Sequence, residues 1–147
     1  MRYLIKTFLL TAGLILSDTA HSEDGYRLWL RYDEIEDQVL LDHYTAYIKG
    51  YLFEGNSALI RSSENEMKAG LTGLLGRNIK EVKGLRGSGI VVAGTPGNSA
   101  IIRSLKLDSR LSGLGSEGYY ITNARIKNKK IIVITANSDQ GVLYGTF

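Results

Sequence analysis

Residues 130–147 read KIIVITANSDQGVLYGTF, and the fold is decided in this stretch. Ile131 to Thr135 are apolar or β-branched without interruption, the pattern of a buried strand. Ala136 and Asn137 give a tight exit, and Ser138 or Asp139 offers a side-chain oxygen to cap a helix. That helix opens with Gly141-Val142-Leu143-Tyr144-Gly145, where Leu143 and Phe147 fall one turn apart on one face. A helix of about two turns is marginal alone, so the joint is expected to lead into a larger structure.

Upstream, Tyr119 to Ile126 forms a second strand, joined to Lys130–Ala136 by a tight turn at Asn128, which tolerates the left-handed region. This hairpin makes at least part of the sheet antiparallel. Gly89 to Ala93 (GIVVA) is apolar throughout, as a central strand is. It passes through Gly94-Thr95-Pro96-Gly97 into a cap at Asn98 or Ser99 and a helix carrying Ile101, Ile102 and Leu105. A loose segment covers Lys106 to Glu117.

Before that, Ile48 to Glu54 reads as a strand closed by Gly55-Asn56-Ser57. Asn56 or Ser57 then caps a long helix, Ala58 to Leu75. Its apolar stripe is Ile60, Met67, Leu71, Leu74 and Leu75, with Gly76 at the position just past the end that favours glycine. A polar, glycine-rich linker follows at 78–88. Glu34 to Ala46 predicts a short helix with Val39, Leu40, His43, Tyr44 and Tyr47 near helical spacing. Tyr26 to Tyr32 alternates as a strand, with Trp29 on its polar side. The fold class is therefore α/β of the α+β type: a mixed, partly antiparallel sheet with helices packed on it, in the order β, α, β, α, β, α, β, β, α.

The chain's 147 residues suit one domain, and residues 1–22 are expected to lie outside it. Arg2 and Lys6 precede the apolar run Thr7 to Leu16, and Ala20-His21-Ser22 places small residues where a signal peptidase cuts. The run is shorter than the roughly 20 residues a membrane span needs. A cleaved secretory signal and a periplasmic or secreted destination follow. The sequence contains no cysteine, which removes a lipoprotein anchor, disulfides and cysteine-ligated zinc. The net charge of +3 is slight. Its one local cluster, Lys127, Lys129 and Lys130, reads as a solvated hairpin tip, so no nucleic-acid partner is expected.

Two glycine patterns invite a nucleotide reading. Gly113-Leu114-Gly115-Ser116-Glu117-Gly118 has the right letters, but a polar segment precedes it and a strand follows, so no helix N-terminus faces a phosphate. Gly94 to Ser99 has the strand-to-helix context but lacks a P-loop Lys, and Pro96 removes a donor. After signal removal His43 is the only histidine, which with no cysteine excludes zinc held by nitrogen and sulfur ligands. A Ser–His pair would have to use it, and among core-type neighbours it reads as a packed or surface histidine. Asp33, Glu34, Glu36, Asp37, Glu64 and Glu66 read as solvated surface. No carboxylate pair is placed in a cleft as glycosidase chemistry requires. No catalytic residue, cofactor or metal is assigned. The tyrosines and Trp29 could stack on sugar rings, although neighbours such as Tyr119 and Tyr120 are split between strand faces.

Glu23-Asp24-Gly25-Tyr26-Arg27-Leu28-Trp29-Leu30-Arg31-Tyr32 resembles the mature start of glycoside hydrolase family 67 α-glucuronidases. Gly70 to Gly76, Gly94-Thr95-Pro96 with Ser99, and Gly115 to Tyr119 fit the same domain in order. Ala136 to Gly145 resembles the joint through which that family enters its catalytic barrel. The middle alone is also similar to the accessory domain of β-hexosaminidases. The resemblance covers 23–147 and implies an accessory N-terminal domain. The family releases 4-O-methyl-glucuronic acid from xylo-oligosaccharides by two-carboxylate chemistry in a (β/α)8 barrel. The expected partner is that barrel, with xylo-oligosaccharide bound through it. No family catalytic residue falls on these positions, so the chain alone is expected to be inactive and cut at the start of the linking helix. Trp29, Tyr144 and Phe147 are the expected interdomain or sugar contacts; a free-standing carbohydrate-binding module is the rival reading.

Overall fold

The hairpin joins β3 (Tyr119–Ile126) to β4 (Lys129–Ala136). Its two-residue turn, Lys127-Asn128, holds φ of 45° and 67°. Two consecutive left-handed residues make the tight turn whose twist matches the flanking strands. We describe Gly25 and residues 30–147 of the computed structural model. Among these, Tyr32–Phe147 forms one compact unit. The alternating stretch from Tyr26 falls almost wholly outside the described residues. Its far end is not a strand: Tyr32 has a φ of 51°.

The sheet has four strands in the order β1-β2-β4-β3, with β1 at Gly50–Phe53 and β2 at Ile90–Gly94. β1, β2 and β4 are parallel, and β3 runs antiparallel on the β4 edge. The apolar run of β2 is central, as expected, because both its faces are covered. The other edge, β1, is screened by the 78–88 segment. There Tyr51 N–H donates to the Lys80 carbonyl at 3.2 Å, and Val82 N–H donates to the Tyr51 carbonyl at 2.8 Å. The polar linker at 78–88 thus contributes Ile79 to the core.

Helices cover both faces. On one, α2 (Ala58–Leu74) and α5 (Asp139–Thr146) pack side by side. They bury Ile60, Met67 and Val142 against Tyr51, Phe53, Val91, Ala93, Ile134 and Ala136. On the other, Leu52, Ile90, Val92, Ile131 and Val133 meet Ile102 of α3 (Ala100–Ser104). A short helix, α4 (Asp108–Leu111), was not foreseen in the loose segment.

Two expected stripes are corrected. In α2, Leu74 is exposed, whereas Ser63, Glu66 and Gly70 are buried. The reason is Tyr32, whose ring lies over Gly70 and whose hydroxyl donates to Glu66 Oε1 at 2.5 Å. Glu66 is therefore not solvated surface. The helix expected at 34–46 is α1 (Gln38–Tyr47), which starts later because the Asp37 side chain caps it by accepting from Leu40 N–H at 3.0 Å. None of its residues is buried. Leu41 leans on the core, and Val39, Leu40, Tyr44 and Tyr47 stay exposed. Arg77 holds the end of α1, with Nη2 donating to the carbonyls of Thr45 at 2.7 Å and Ile48 at 3.0 Å.

Candidate interdomain surface

The C-terminal ends of the parallel strands are where α/β proteins commonly place ligands, because chain connections diverge there to opposite faces. Here β1 and β4 lead to helices on one face and β2 leads to α3 on the other. The seam is closed by side chains. Ser99 Oγ accepts from Ile102 N–H at 3.0 Å, so Ser99 is the cap of α3, and it donates to Glu54 Oε2. Asn98 Oδ1 accepts from Thr95 N–H at 2.8 Å, and Asn98 Nδ2 donates to Asp139 Oδ1 at 3.0 Å. Two carboxylates thus border the Gly94–Ser99 turn and are committed to holding it. Their negative charge opposes an anion, which agrees with the plain-turn reading.

The stretch Asn137–Gly145 knits this seam to the rest of the domain. Asn137 Nδ2 donates to the carbonyls of Leu111 at 2.8 Å and Leu114 at 2.6 Å, and Ser138 Oγ donates to the Ser116 carbonyl. The glycine-rich segment 113–118 is therefore a loop fastened to the start of α5, ahead of a strand. Ser138 Oγ also caps α5, accepting from Gly141 N–H at 3.2 Å. Gln140 Nε2 reaches Glu117 Oε1 at 3.1 Å and the Tyr144 hydroxyl at 3.2 Å.

Both glycines of α5 face the sheet. A Cβ on Gly141 would lie 2.5 Å from the Gly118 carbonyl oxygen and 2.6 Å from Ala136 Cβ. One on Gly145 would lie 2.8 Å from Ile134 Cγ2 and 3.0 Å from the Tyr119 ring. The glycines let α5 settle directly on β4 and β3, and Val142 between them is completely buried. The apolar residues Val142, Leu143 and Phe147 are thereby divided. Val142 belongs to this domain's own core and Leu143 is half-buried. Phe147, at 59% exposure, and Tyr144, at 41%, point outward.

Of the three contact residues expected from the sequence, Tyr144 and Phe147 share the outer side of α5. Trp29 lies outside the described residues. The Tyr119–Tyr120 split is as expected: Tyr119 is exposed beside α5 and Tyr120 is half-buried on the opposite face. Sequence reading missed the bonds of two carboxylates, Glu54 and Asp139, to partners 45 and 41 residues away. No local pattern announces such bonds.

Two further features complete the surface. His43, Tyr44 and Tyr47 of α1 face Ile121, Asn123 and Ile132 of the sheet across a groove of about 350 Å³. His43 is exposed and lines this open groove. On the β1 side, Glu64 and Glu81 lie close enough that burial first, and the Glu81 charge second, raise the Glu64 carboxyl, with Lys68 opposing. The Tyr51 phenol is raised by burial and then by the same two carboxylates. Among the described residues no group of three or more His, Cys, Asp or Glu is placed to hold a metal ion. No helix among them is long and apolar enough to cross a membrane.

The arrangement defines a small mixed α/β domain whose polar side chains are spent on its own seams and whose outer face presents aromatics. A family model described as the glycosyl hydrolase family 67 N-terminus matches residues 28–147, and the chain belongs to that family. The resemblance read from the two terminal motifs is thus correct for the N-terminal domain. No curated protein is matched by the chain.

Proposed function

We propose that this is the accessory domain of an exported α-glucuronidase that releases 4-O-methyl-glucuronic acid from glucuronoxylan oligosaccharides. The observation that carries the reading is membership of the family 67 N-terminus over residues 28–147. In this reading hydrolysis belongs to a (β/α)8 barrel in the same polypeptide, and the domain's task is to pack on that barrel and stabilise it. The barrel supplies both catalytic carboxylates and the xylo-oligosaccharide site. Export is supported by the basic start at Arg2 and Lys6, the apolar run Thr7–Leu16 and the small residues around Ala20-His21-Ser22.

The docking face we assign is the outer side of α5. Tyr144 and Phe147 are large, outward and adjacent to exposed Tyr119. Aromatics are enriched at the centres of interfaces because they remove much apolar area from water at little entropic cost. Calorimetry of the chain against a separately produced family 67 barrel tests this. Binding should weaken about tenfold or more in Tyr144→Ala, a loss on the scale of one anchor residue. Equal affinity for the variant would remove α5 from the interface.

A further inference from the structure

The α1–β3 groove has a composition that its place beside the sheet does not require. Tyr44 and Tyr47 stand at its rim with 41% and 37% of their surface exposed, although each ring buries readily. Ile121, half-exposed, and Ile132 form an apolar floor. Tyr47 donates its hydroxyl to Asn123 Oδ1 at 3.1 Å. This bond fixes the amide's orientation and leaves its NH₂ group as the outward pair of donors. His43 packs edge-on against Tyr44, with ring centroids 6.0 Å apart, and adds ring nitrogens at the same rim. Among the described residues no Asp, Glu, Lys or Arg lines the groove.

From this donor set we infer that the groove binds a neutral sugar, a pyranose unit of an oligosaccharide. Its volume of about 350 Å³ falls within the range of small-molecule sites, roughly 300–1,000 Å³. Flat tyrosine faces suit the apolar C–H face of a pyranose ring, and the Asn123 amide suits its hydroxyls. The lack of a lining cation disfavours a uronate or a phosphate, which need a charged partner to replace their water. The lack of an anion disfavours a basic peptide. None of the lining residues belongs to α5, and the chemistry of the site does not depend on the barrel assignment.

The test is a titration of the full ¹⁵N-labelled chain with xylotriose, cellotriose and glucuronic acid, followed by amide shifts. The neutral trisaccharides should move residues 43–48, 121–123 and 132 with a dissociation constant on the order of 1 mM, as an open site with few anchors gives. Glucuronic acid should move them less. Tyr44→Ala and Asn123→Ala, both at exposed positions, should keep the spectrum of a folded protein and weaken binding about tenfold each. Shifts scattered over the surface, unaffected by these changes, would overturn the proposal. So would no shift at saturating sugar. Shifts of the same residues on simple dilution would assign the groove to contact between copies of the chain instead.

Discussion

At the scale of single residues, Gly141 and Gly145 show how close packing overrides propensity. A glycine inside a helix costs about 1 kcal/mol relative to alanine, so Gly141→Ala looks favourable from the sequence alone. In the folded chain the added methyl would meet a backbone oxygen at 2.5 Å and a Cβ at 2.6 Å. Overpacking of this kind costs roughly 1–3 kcal/mol, and here both obstacles are rigid. Gly141→Ala should therefore lower the urea-unfolding free energy by about 2 kcal/mol. Gly113→Ala, where nothing lies within 4 Å of the new methyl, should change it by less than about 0.5 kcal/mol. Equal effects would mean that α5 does not sit on β4 as described. The caps at Ser57, Ser99 and Ser138 were legible as one of two adjacent candidates each, because a hydroxyl three positions before an N–H donor is a local signal. The Asn98–Asp139 bond was not legible, since nothing in either residue's neighbourhood specifies the other.

At the scale of elements, the strands and helices of the described unit other than α4 were readable from their period, while their neighbours were not. The hairpin, the central β2 and the glycine after α2, with a φ of 59°, follow from composition and spacing alone. The α2 stripe erred at Leu74 because Tyr32 covers the helix over Gly70 and Gly73, a contact made across 38 and 41 positions. Such a contact removes the need for an apolar side chain there. The approach of α2 to the segment beyond it also sets a pH dependence. Glu64 on α2 sits near Glu81, and burial together with that charge raises its carboxyl above the ordinary value of 4.5. The folded state thus holds this proton more tightly than the unfolded chain does. Its contribution to stability is complete below about pH 4.5 and is lost as pH rises through the raised value. Glu64→Gln should leave the thermal midpoint unchanged at pH 4 and raise it modestly at pH 7. A variant less stable than the parent at pH 7 would contradict the pairing.

At the scale of the whole molecule, the strand order β1-β2-β4-β3 and the two-sided helix cover commit several conspicuous polar groups to structural roles. Glu54 holds Ser99, Asp139 holds Asn98, and Glu66 accepts from Tyr32. Sequence reading reached the fold class because the strand and helix periods are strong, and it reached the family through the two terminal motifs. It could not reach the groove, because α1 and β3 are joined only by tertiary packing. Nor could it divide the apolar face of α5, whose inner half completes this core and whose outer half is free to meet another surface. Under the proposed function, such a domain contributes shape and stability, and hydrolysis belongs to the barrel.

The central claim is therefore most directly tested by incubating the purified chain with aldouronic acids and following free 4-O-methyl-glucuronic acid by chromatography. The account predicts no release above that of buffer over hours. Steady release proportional to protein concentration, at the roughly 1–1,000 per second typical of enzymes, would contradict it.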